Sequence, residues 1–157
     1  MKNQAEIIKE LQKAYWSELE TVMNYLATSV NLDGIMAERV KDSLADDVTE
    51  ETQHATMLAN RIKELGGTVE GSYQFKAKQS SLQPTADSTD IEAAVNGVIE
   101  AEENAIAQYQ KIIKLCDGED FVTEDLCIEL LADEQKHLTL FRGFAKELAK
   151  IRQQYNR

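Results

Sequence analysis

The chain has 157 residues, a formal net charge of −11 and a sequence pI near 4.6. This length suits a single domain with a substantial core, and the acidic balance argues against nucleic acid as a direct partner, because such binding depends on neutralising phosphates. One proline, seven glycines and abundant Ala, Leu, Glu and Lys disfavour β-structure. We therefore expect an all-α protein with one domain over residues 1–157.

A stripe of apolar side chains at helical spacing predicts the first helix over residues 4–30. Glu18 places a carboxylate within this stripe, where leaving it unpaired is costly, so we expect it to be bound or neutralised. Tyr25 follows two turns later on the same face; it could hydrogen-bond a ligand, relay an electron or simply belong to the core. The apolar positions of the stripe are Ile7, Ile8, Leu11, Tyr15, Leu19, Val22 and Leu26.

A second helix is predicted over residues 35–65, with Gly66 and Gly67 as its stop. Glu51 lies on its apolar side, and His54 follows three residues later, so both side chains face one point. Three further acidic residues just before this pair are expected to form a solvated edge, with guidance of iron inward as the weaker alternative. They are Asp46, Asp47 and Glu50.

The helical pattern breaks between residues 66 and 89, a stretch rich in Gly, Ser and Asp. A loop of this length is unusual inside a compact domain unless it has a task. Fully extended it could span roughly 80 Å, enough to run back along a bundle so that the third helix starts at the opposite end. Tyr73 and Phe75 are expected to fix it by packing on the helices.

The third and fourth helices are predicted over residues 90–115 and 121–151. Thr89 and Glu92 have the spacing of a capping box at the start of the third. Among the glutamates of this helix, only Glu102 continues the apolar stripe. The fourth helix repeats the Glu-x-x-His spacing within its own apolar stripe, at Glu134 and His137.

Cys116 and Cys127 are too few for a disulfide framework. We expect them to be small buried residues, as free cysteines usually are. A redox pair across the turn between helices three and four is the alternative.

Four predicted helices thus each direct a glutamate inward, and two of them add a histidine. The two halves repeat, since 33 positions separate Glu18 from Glu51 and 32 separate Glu102 from Glu134. Carboxylates that can bridge, with one imidazole for each ion, suit two first-row transition metals, an arrangement known from di-iron and di-manganese bundles. Structural zinc is less apt, because it favours four ligands rich in Cys or His. The predicted ligands are Glu18, Glu51, His54, Glu102, Glu134 and His137.

These motifs resemble those of the ferritin-like superfamily, and within it most closely those of bacterioferritin. The resemblance implies an antiparallel four-helix bundle with a long crossover between helices two and three. It also implies a non-haem di-iron centre at the six residues, which oxidises Fe(II) and passes Fe(III) to a mineral core in a hollow oligomer. The similar segments are Glu18-Leu19 with Asn24-Tyr25, Glu51-x-x-His54-Ala55, Glu102-x-x-Ala105-Ile106-x-x-Tyr109 and Asp133-Glu134-x-x-His137.

Two features differ from bacterioferritin. A haem-ligating methionine follows the second-helix glutamate in that family, whereas this chain has Thr52, so no haem is predicted. Bacterioferritins also carry a short fifth helix, which we expect this chain to lack.

The predicted function is therefore that of a ferroxidase for iron storage or detoxification, with Fe(II) and dioxygen or hydrogen peroxide as substrates. A rubrerythrin-like or manganese-catalase-like peroxidase or oxidase is one alternative, with manganese possible in place of iron. A non-enzymatic interaction bundle stabilised by metal is another. With no signal peptide or membrane-spanning run in the sequence, we expect the protein to be cytoplasmic. The resemblance to the ferritin-like superfamily implies a homo-oligomer.

Overall fold

The computed structural model describes residues 3–155 and contains four long helices. These are α1 (Gln4–Asn31), α2 (Glu38–Glu64), α3 (Ile91–Cys116) and α4 (Phe121–Tyr155). Short 3₁₀ turns occupy Ile35–Ala37 and Ser72–Gln74, and residues 3–155 include no β-strand. The predicted all-α four-helix architecture is confirmed. Because the 3₁₀ turn takes residues 35–37, α2 begins three residues later than predicted.

Neighbouring helices of the bundle run antiparallel. α1 packs on α2 and α3 packs on α4, each pair joined by a short turn. The backbone N–H of Asp33, after α1, donates to the carbonyl of Ser88, before α3, at 2.9 Å. At the other end the Asn3 amide donates to the Leu115 carbonyl at 3.5 Å. α1 and α3 are therefore also antiparallel, which requires the long crossover that the sequence predicts.

Turn residues end the helices where the sequence indicates, with one difference at the start of α3. Gly66 has φ 79° just after α2, and Gly118 has φ 72° between α3 and α4, conformations that favour glycine. Asp90, rather than Thr89, caps α3, since its carboxylate accepts the Ala93 N–H at 3.0 Å. The predicted capping box at Thr89 is thus displaced by one residue.

The crossover is held mainly by polar contacts with α1. The buried Glu20 carboxylate accepts the backbone N–H groups of Lys78 and Gln79 at 2.7 and 2.8 Å. The Gln79 side chain donates to the Thr21 hydroxyl at 2.7 Å. Tyr73, by contrast, is fully exposed, so its predicted packing role is wrong, whereas Phe75 is partly buried. Side-chain acceptors on α1 supply most of the attachment that aromatic packing was expected to give.

A close backbone contact fixes the other side of the crossover against α3. A Cβ placed on Gly97 would lie 2.4 Å from the Ser81 carbonyl oxygen, closer than any real contact, so only glycine fits there. The next residue, Leu82, is 2% exposed and packs with the core residues of α3. The crossover therefore lies tightly on both α1 and α3.

Two apolar clusters fill the bundle interior, one toward each end. Tyr25 belongs to the first cluster and Tyr109 to the second. Between them lies a layer of buried acidic and imidazole side chains. This layer is the candidate functional site.

The surface of α1 departs from the sequence prediction. Leu26 is 54% exposed although it lies on the predicted core stripe, and Met23 and Val30 beside it are also exposed. Helical periodicity identifies an apolar face but not whether that face meets the chain's own core. Among the helices of residues 3–155, none combines the length and apolar character required to span a bilayer.

Candidate metal centre

The six residues predicted as ligands converge in the middle of the bundle. Each is almost completely buried, with exposures of 1% to 6%. Glu18 comes from α1, the Glu51–His54 pair from α2, Glu102 from α3 and the Glu134–His137 pair from α4. The three-residue spacing on α2 and α4 turns each glutamate and its histidine toward the same point. Four helices thus contribute to one buried polar layer.

These residues form two overlapping groups of potential ligands. Within each group the ligand atoms lie within 4.8 Å of one another, close enough to surround one ion. Glu51 and Glu134 belong to both groups, so each can bridge two ions. Glu18 with His54 completes one group, and Glu102 with His137 completes the other. The site is therefore nearly two-fold symmetric.

Each shared carboxylate offers one oxygen to each histidine. His54 Nδ1 lies 3.2 Å from Glu51 Oε2 and 3.2 Å from Glu134 Oε1. His137 Nδ1 lies 3.3 Å from Glu51 Oε1 and 3.6 Å from Glu134 Oε2. The two rings are stacked with their centroids 6.5 Å apart. The two ligand groups therefore share two carboxylates, each of which presents one oxygen to either group.

Protonated imidazoles and ionised carboxylates balance one another in the α2–α4 part of the site. Burial alone would lower the pKa of His54, but its hydrogen bonds to Glu134 and Glu51 raise that pKa to about 10. The same carboxylates outweigh burial at His137 and raise its pKa to about 12. In return, and against the effect of burial, hydrogen bonds from the histidines lower the pKa values of Glu51 and Glu134.

The carboxyl groups of α1 and α3 behave in the opposite way. Burial, followed by the charges of Glu51 and Glu134, raises the pKa of Glu18 well above 4.5. Burial also raises the pKa of Glu102, and its hydrogen bond to Glu134 adds to this shift. Both side chains therefore keep their protons to higher pH than an exposed glutamate does. While both are protonated, two imidazolium and two carboxylate charges on the six residues balance one another.

Two tyrosines connect α1 and α3 across the site. The Tyr25 hydroxyl on α1 donates a hydrogen bond to Glu102 on α3, and the Tyr109 hydroxyl on α3 donates one to Glu18 on α1. Both tyrosines are essentially inaccessible to solvent, and burial raises the pKa of each. Sequence analysis assigned a possible ligand contact to Tyr25 only. The identical spacing of seven residues after Glu18 and Glu102 could have identified Tyr109 as its counterpart.

Further carboxylates contact the outer nitrogens of the histidines. His137 Nε2 lies 3.0 Å from Glu50 Oε2 and 3.6 Å from Asp47 Oδ1, while His54 Nε2 lies 3.5 Å from Asp133 Oδ2. Asp47 is 7% exposed, and burial raises its pKa to about 6. The predicted solvated edge is therefore wrong for Asp47, because α4 covers that face of α2, while Asp46 remains exposed.

The residues present fit a pair of first-row transition-metal ions. Glu51 Oε1 and His137 Nδ1 are buried in the middle of the site and lie 3.3 Å apart, but neither is aligned for a full hydrogen bond with any group of residues 3–155. Such atoms are costly to bury unless something binds them. Four carboxylates and two imidazoles form a hard, nitrogen- and oxygen-rich donor set suited to iron or manganese.

The two cysteines lie outside this layer. Cys116 and Cys127 are both buried as free thiols in the apolar cluster that includes Tyr109. Burial raises their pKa values to about 11 and about 12. Both therefore remain protonated at neutral pH, which agrees with a packing role.

The sequence and the fold match those of known ferritin-like proteins. A bacterioferritin from Desulfovibrio desulfuricans is 26% identical over 152 residues, spanning 96% of this chain and 80% of the relative. The structure of a D. desulfuricans bacterioferritin, which contains a diiron site, aligns with a TM-score of 0.82 at 25% identity and covers 98% of this chain and 86% of that one. A dodecameric thioferritin from Bacteroides fragilis aligns with a TM-score of 0.87 at 22% identity, over 98% of this chain and 92% of its own.

The family model for the ferritin-like domain matches residues 8–151, which include all six predicted ligands and most of each of the four helices. This extent, together with the four-helix architecture and the predicted crossover, identifies the family. The chain belongs to the ferritin-like domain family, whose bacterioferritin members it resembles in both sequence and fold.

Proposed function

We propose that the protein is a ferroxidase that binds two Fe(II) ions at the buried glutamate and histidine layer and oxidises them for iron storage or detoxification. The observation that carries this proposal is the pair of ligand groups sharing Glu51 and Glu134. Shared carboxylates hold two ions close enough to give up electrons to one oxidant molecule. Membership of a family with bacterioferritin relatives supports the same general role.

Each Fe(II) supplies one electron, and the chain supplies ligands and controls protons. With hydrogen peroxide, two Fe(II), one peroxide and two protons give two Fe(III) and two water molecules. With dioxygen, two Fe(II), one O₂ and two protons give two Fe(III) and one hydrogen peroxide. His54 and His137 must lose their protons before they can bind iron. Tyr25, through its hydrogen bond, holds the Glu102 carboxylate in position, and Tyr109 does the same for Glu18.

The direct test is to add Fe(II) to the purified chain without oxygen, then to expose the sample to oxygen and follow the oxidation of the iron. We expect rapid formation of Fe(III), and more iron retained per chain than the two ligand groups can hold. Uptake that stops at two ions per chain would contradict the storage role. Glu103→Gln is a matched control for substitutions of the predicted ligands, because Glu103 lies next to Glu102 on α3 but is exposed and pairs with Arg142.

The same donor set would also serve a peroxidase or oxidase with iron or manganese. Comparing turnover with hydrogen peroxide against oxidation by dioxygen separates these functions. Much faster peroxide turnover, sustained by an added electron donor, would favour the peroxidase. If a Glu51→Ala, His54→Ala variant oxidises Fe(II) at the full rate, the buried layer is not a ferroxidase site, and its metal serves only to stabilise a non-enzymatic interaction bundle. Absence of haem stays a prediction and can be checked by absorption spectroscopy.

We further propose that the chain folds as one domain and functions in the cytoplasm. We also propose that it forms a homo-oligomer through α1. Met23, Leu26 and Val30 together leave a large apolar surface exposed on this helix. Such surfaces commonly mark interfaces between proteins. Leu26→Glu would then yield smaller particles by light scattering, whereas Leu140→Glu, on the exposed face of α4, serves as the control.

A further inference from the structure

A second concave site lies outside the metal layer, between α1, the crossover and α3. It encloses a cavity of about 280 Å³, which we term the crossover pocket. Lys13 and Trp16 of α1, Lys76 and Lys78 of the crossover, and Asn104 of α3 are among its lining residues. None of these residues belongs to the ligand groups of the metal layer. The crossover pocket therefore requires a separate explanation.

The walls of the crossover pocket are fixed in place. Glu20 anchors the crossover to α1 through the backbone N–H groups of Lys78 and Gln79. On the opposite side, the close approach of the Ser81 carbonyl to Gly97 holds the crossover against α3. A ligand would thus meet a preformed site rather than a loose loop, which lowers the cost of binding.

Several hydrogen-bond donors that line the crossover pocket have no partner within residues 3–155, and four of them, Lys76, Lys78, Ser80 and Asn104, are exposed to solvent. The ammonium groups of Lys76 and Lys78 form no ion pair with any residue of the described range 3–155. The Asn104 amide and three serine hydroxyls likewise make no side-chain hydrogen bond within that range; the serines are Ser17, Ser80 and Ser81. Ammonium, hydroxyl and amide groups together are typical donors to an oxyanion.

The charges that line the crossover pocket allow the same class of ligand. Two lysines that are not paired elsewhere lie beside two glutamates, so the pocket is locally neutral although the whole chain has a net charge of −11. Glu20 already accepts two backbone N–H groups, and Glu100 is exposed. Lys13 is paired with Glu10 at 2.5 Å, which leaves Lys76 and Lys78 as the free positive charges. A metal cation would meet these ammonium groups and few available oxygen ligands.

We propose that the crossover pocket binds a small multiply charged oxyanion, either inorganic phosphate or a di- or tricarboxylate. Lys76 and Lys78 neutralise its charge, and the serine hydroxyls and the Asn104 amide donate hydrogen bonds to its oxygens. This inference does not depend on the ferroxidase proposal, because no ligand of the metal layer takes part.

The test uses the metal-free full chain, in which Trp16 is the only tryptophan and lines the crossover pocket. Its fluorescence and isothermal titration calorimetry are followed during titration with phosphate, and separately with citrate, with chloride added to hold ionic strength constant. We expect saturable binding of at least one anion. Tighter phosphate binding identifies the inorganic source, and tighter citrate binding identifies the carboxylate source.

Two variants decide whether binding occurs in the crossover pocket. Lys76→Ala combined with Lys78→Ala should weaken binding by at least about tenfold, because two charge-assisted contacts are lost. Lys150→Ala, an exposed lysine on α4 outside the crossover pocket, should leave affinity unchanged. Absence of saturable heat with both anions, or equal affinity in the double variant, would overturn the proposal.

Discussion

The two halves of the candidate metal centre solve the same burial problem in opposite ways. On α2 and α4, Glu51 and Glu134 stay ionised because two protonated histidines face them. On α1 and α3, burial raises the pKa values of Glu18 and Glu102, which accept hydrogen bonds from tyrosines; of the two, only Glu102 lies near a histidine, with His137 Nδ1 3.7 Å from its Oε1. While all four groups are protonated, the metal-free site holds four protons that two divalent ions can replace without changing the net charge. This difference between the halves leads to four predictions.

The largest expected effect is on the pH dependence of metal binding. Glu18, Glu102 and both histidines must release protons, so affinity for a metal pair should increase with pH. Just above pH 4.5, where all four groups are protonated, affinity for the metal pair should increase by about 10⁴-fold per pH unit. Once Glu18 and Glu102 ionise, only the histidines still release protons, so the increase should fall to about 10²-fold per pH unit and continue at that rate toward pH 10. Calorimetry with redox-inert Zn(II) in buffers of different ionisation enthalpy measures the released protons. Binding without net proton release would contradict the contrast between the halves.

Removing a shared carboxylate should have the next largest effect. Glu51→Gln deprives both ligand groups of an oxygen, so we expect Fe(II) oxidation to slow by at least about 100-fold. Stopped-flow measurement of Fe(III) formation tests this expectation, with Glu103→Gln as the exposed control on α3. Equal rates in the two variants would exclude Glu51 as a bridging ligand.

The stability of the metal-free chain should distinguish the two halves directly. Glu51→Gln leaves two imidazolium groups short of a counter-charge and should lower the free energy of unfolding by about 3 kcal/mol at pH 7. The raised pKa of Glu18 means that the wild-type chain loses stability as pH rises past 4.5. Glu18→Gln removes that loss, so the free energy of unfolding at pH 7 should stay the same or rise rather than fall. Chemical denaturation of both variants without metal provides the measurement, and similar large losses would refute the assigned protonation states.

The smallest effect is expected at the tyrosines. Tyr109→Phe removes the hydroxyl that orients Glu18, and Tyr25→Phe removes its counterpart at Glu102. Each should weaken Co(II) binding by about tenfold, the range typical for groups that orient a metal ligand. Co(II) absorption titrations report the affinity and the ligand geometry together. An effect of Tyr25→Phe with none from Tyr109→Phe would show that the symmetry is only structural.

Local patterns predicted most of the fold. The apolar stripes predicted four helices, and the break after Gly66 predicted the crossover. Glycine, proline and helical periodicity act through nearby residues, so they can be read from one segment at a time. The displaced cap at Asp90 and the 3₁₀ turn before α2 show the usual limit of such patterns at helix ends.

Features that depend on contacts between helices were harder to predict from the sequence. The burial of Asp47 depends on how α4 covers α2, and the exposure of Leu26 depends on which face of α1 meets the core. Neither relation is encoded in one helix alone. The convergence of the six predicted ligands could be predicted because the Glu-x-x-His spacing occurs on two helices, which indicated that the two helices face each other. The reciprocal role of Tyr109 required the structure, although its spacing matched that of Tyr25.

The contact between Gly97 and the Ser81 carbonyl links the position of the crossover to that of α3, the helix that carries Glu102. A single added methyl group at Gly97 would force the two backbones apart by roughly 1 Å to reach an ordinary van der Waals distance. Glu102 lies five residues further along the same helix, so the strain of such a change would fall on the crossover, on α3 or on both. The distance between two backbones at one glycine therefore contributes both to the width of the crossover pocket and to the placement of a predicted metal ligand.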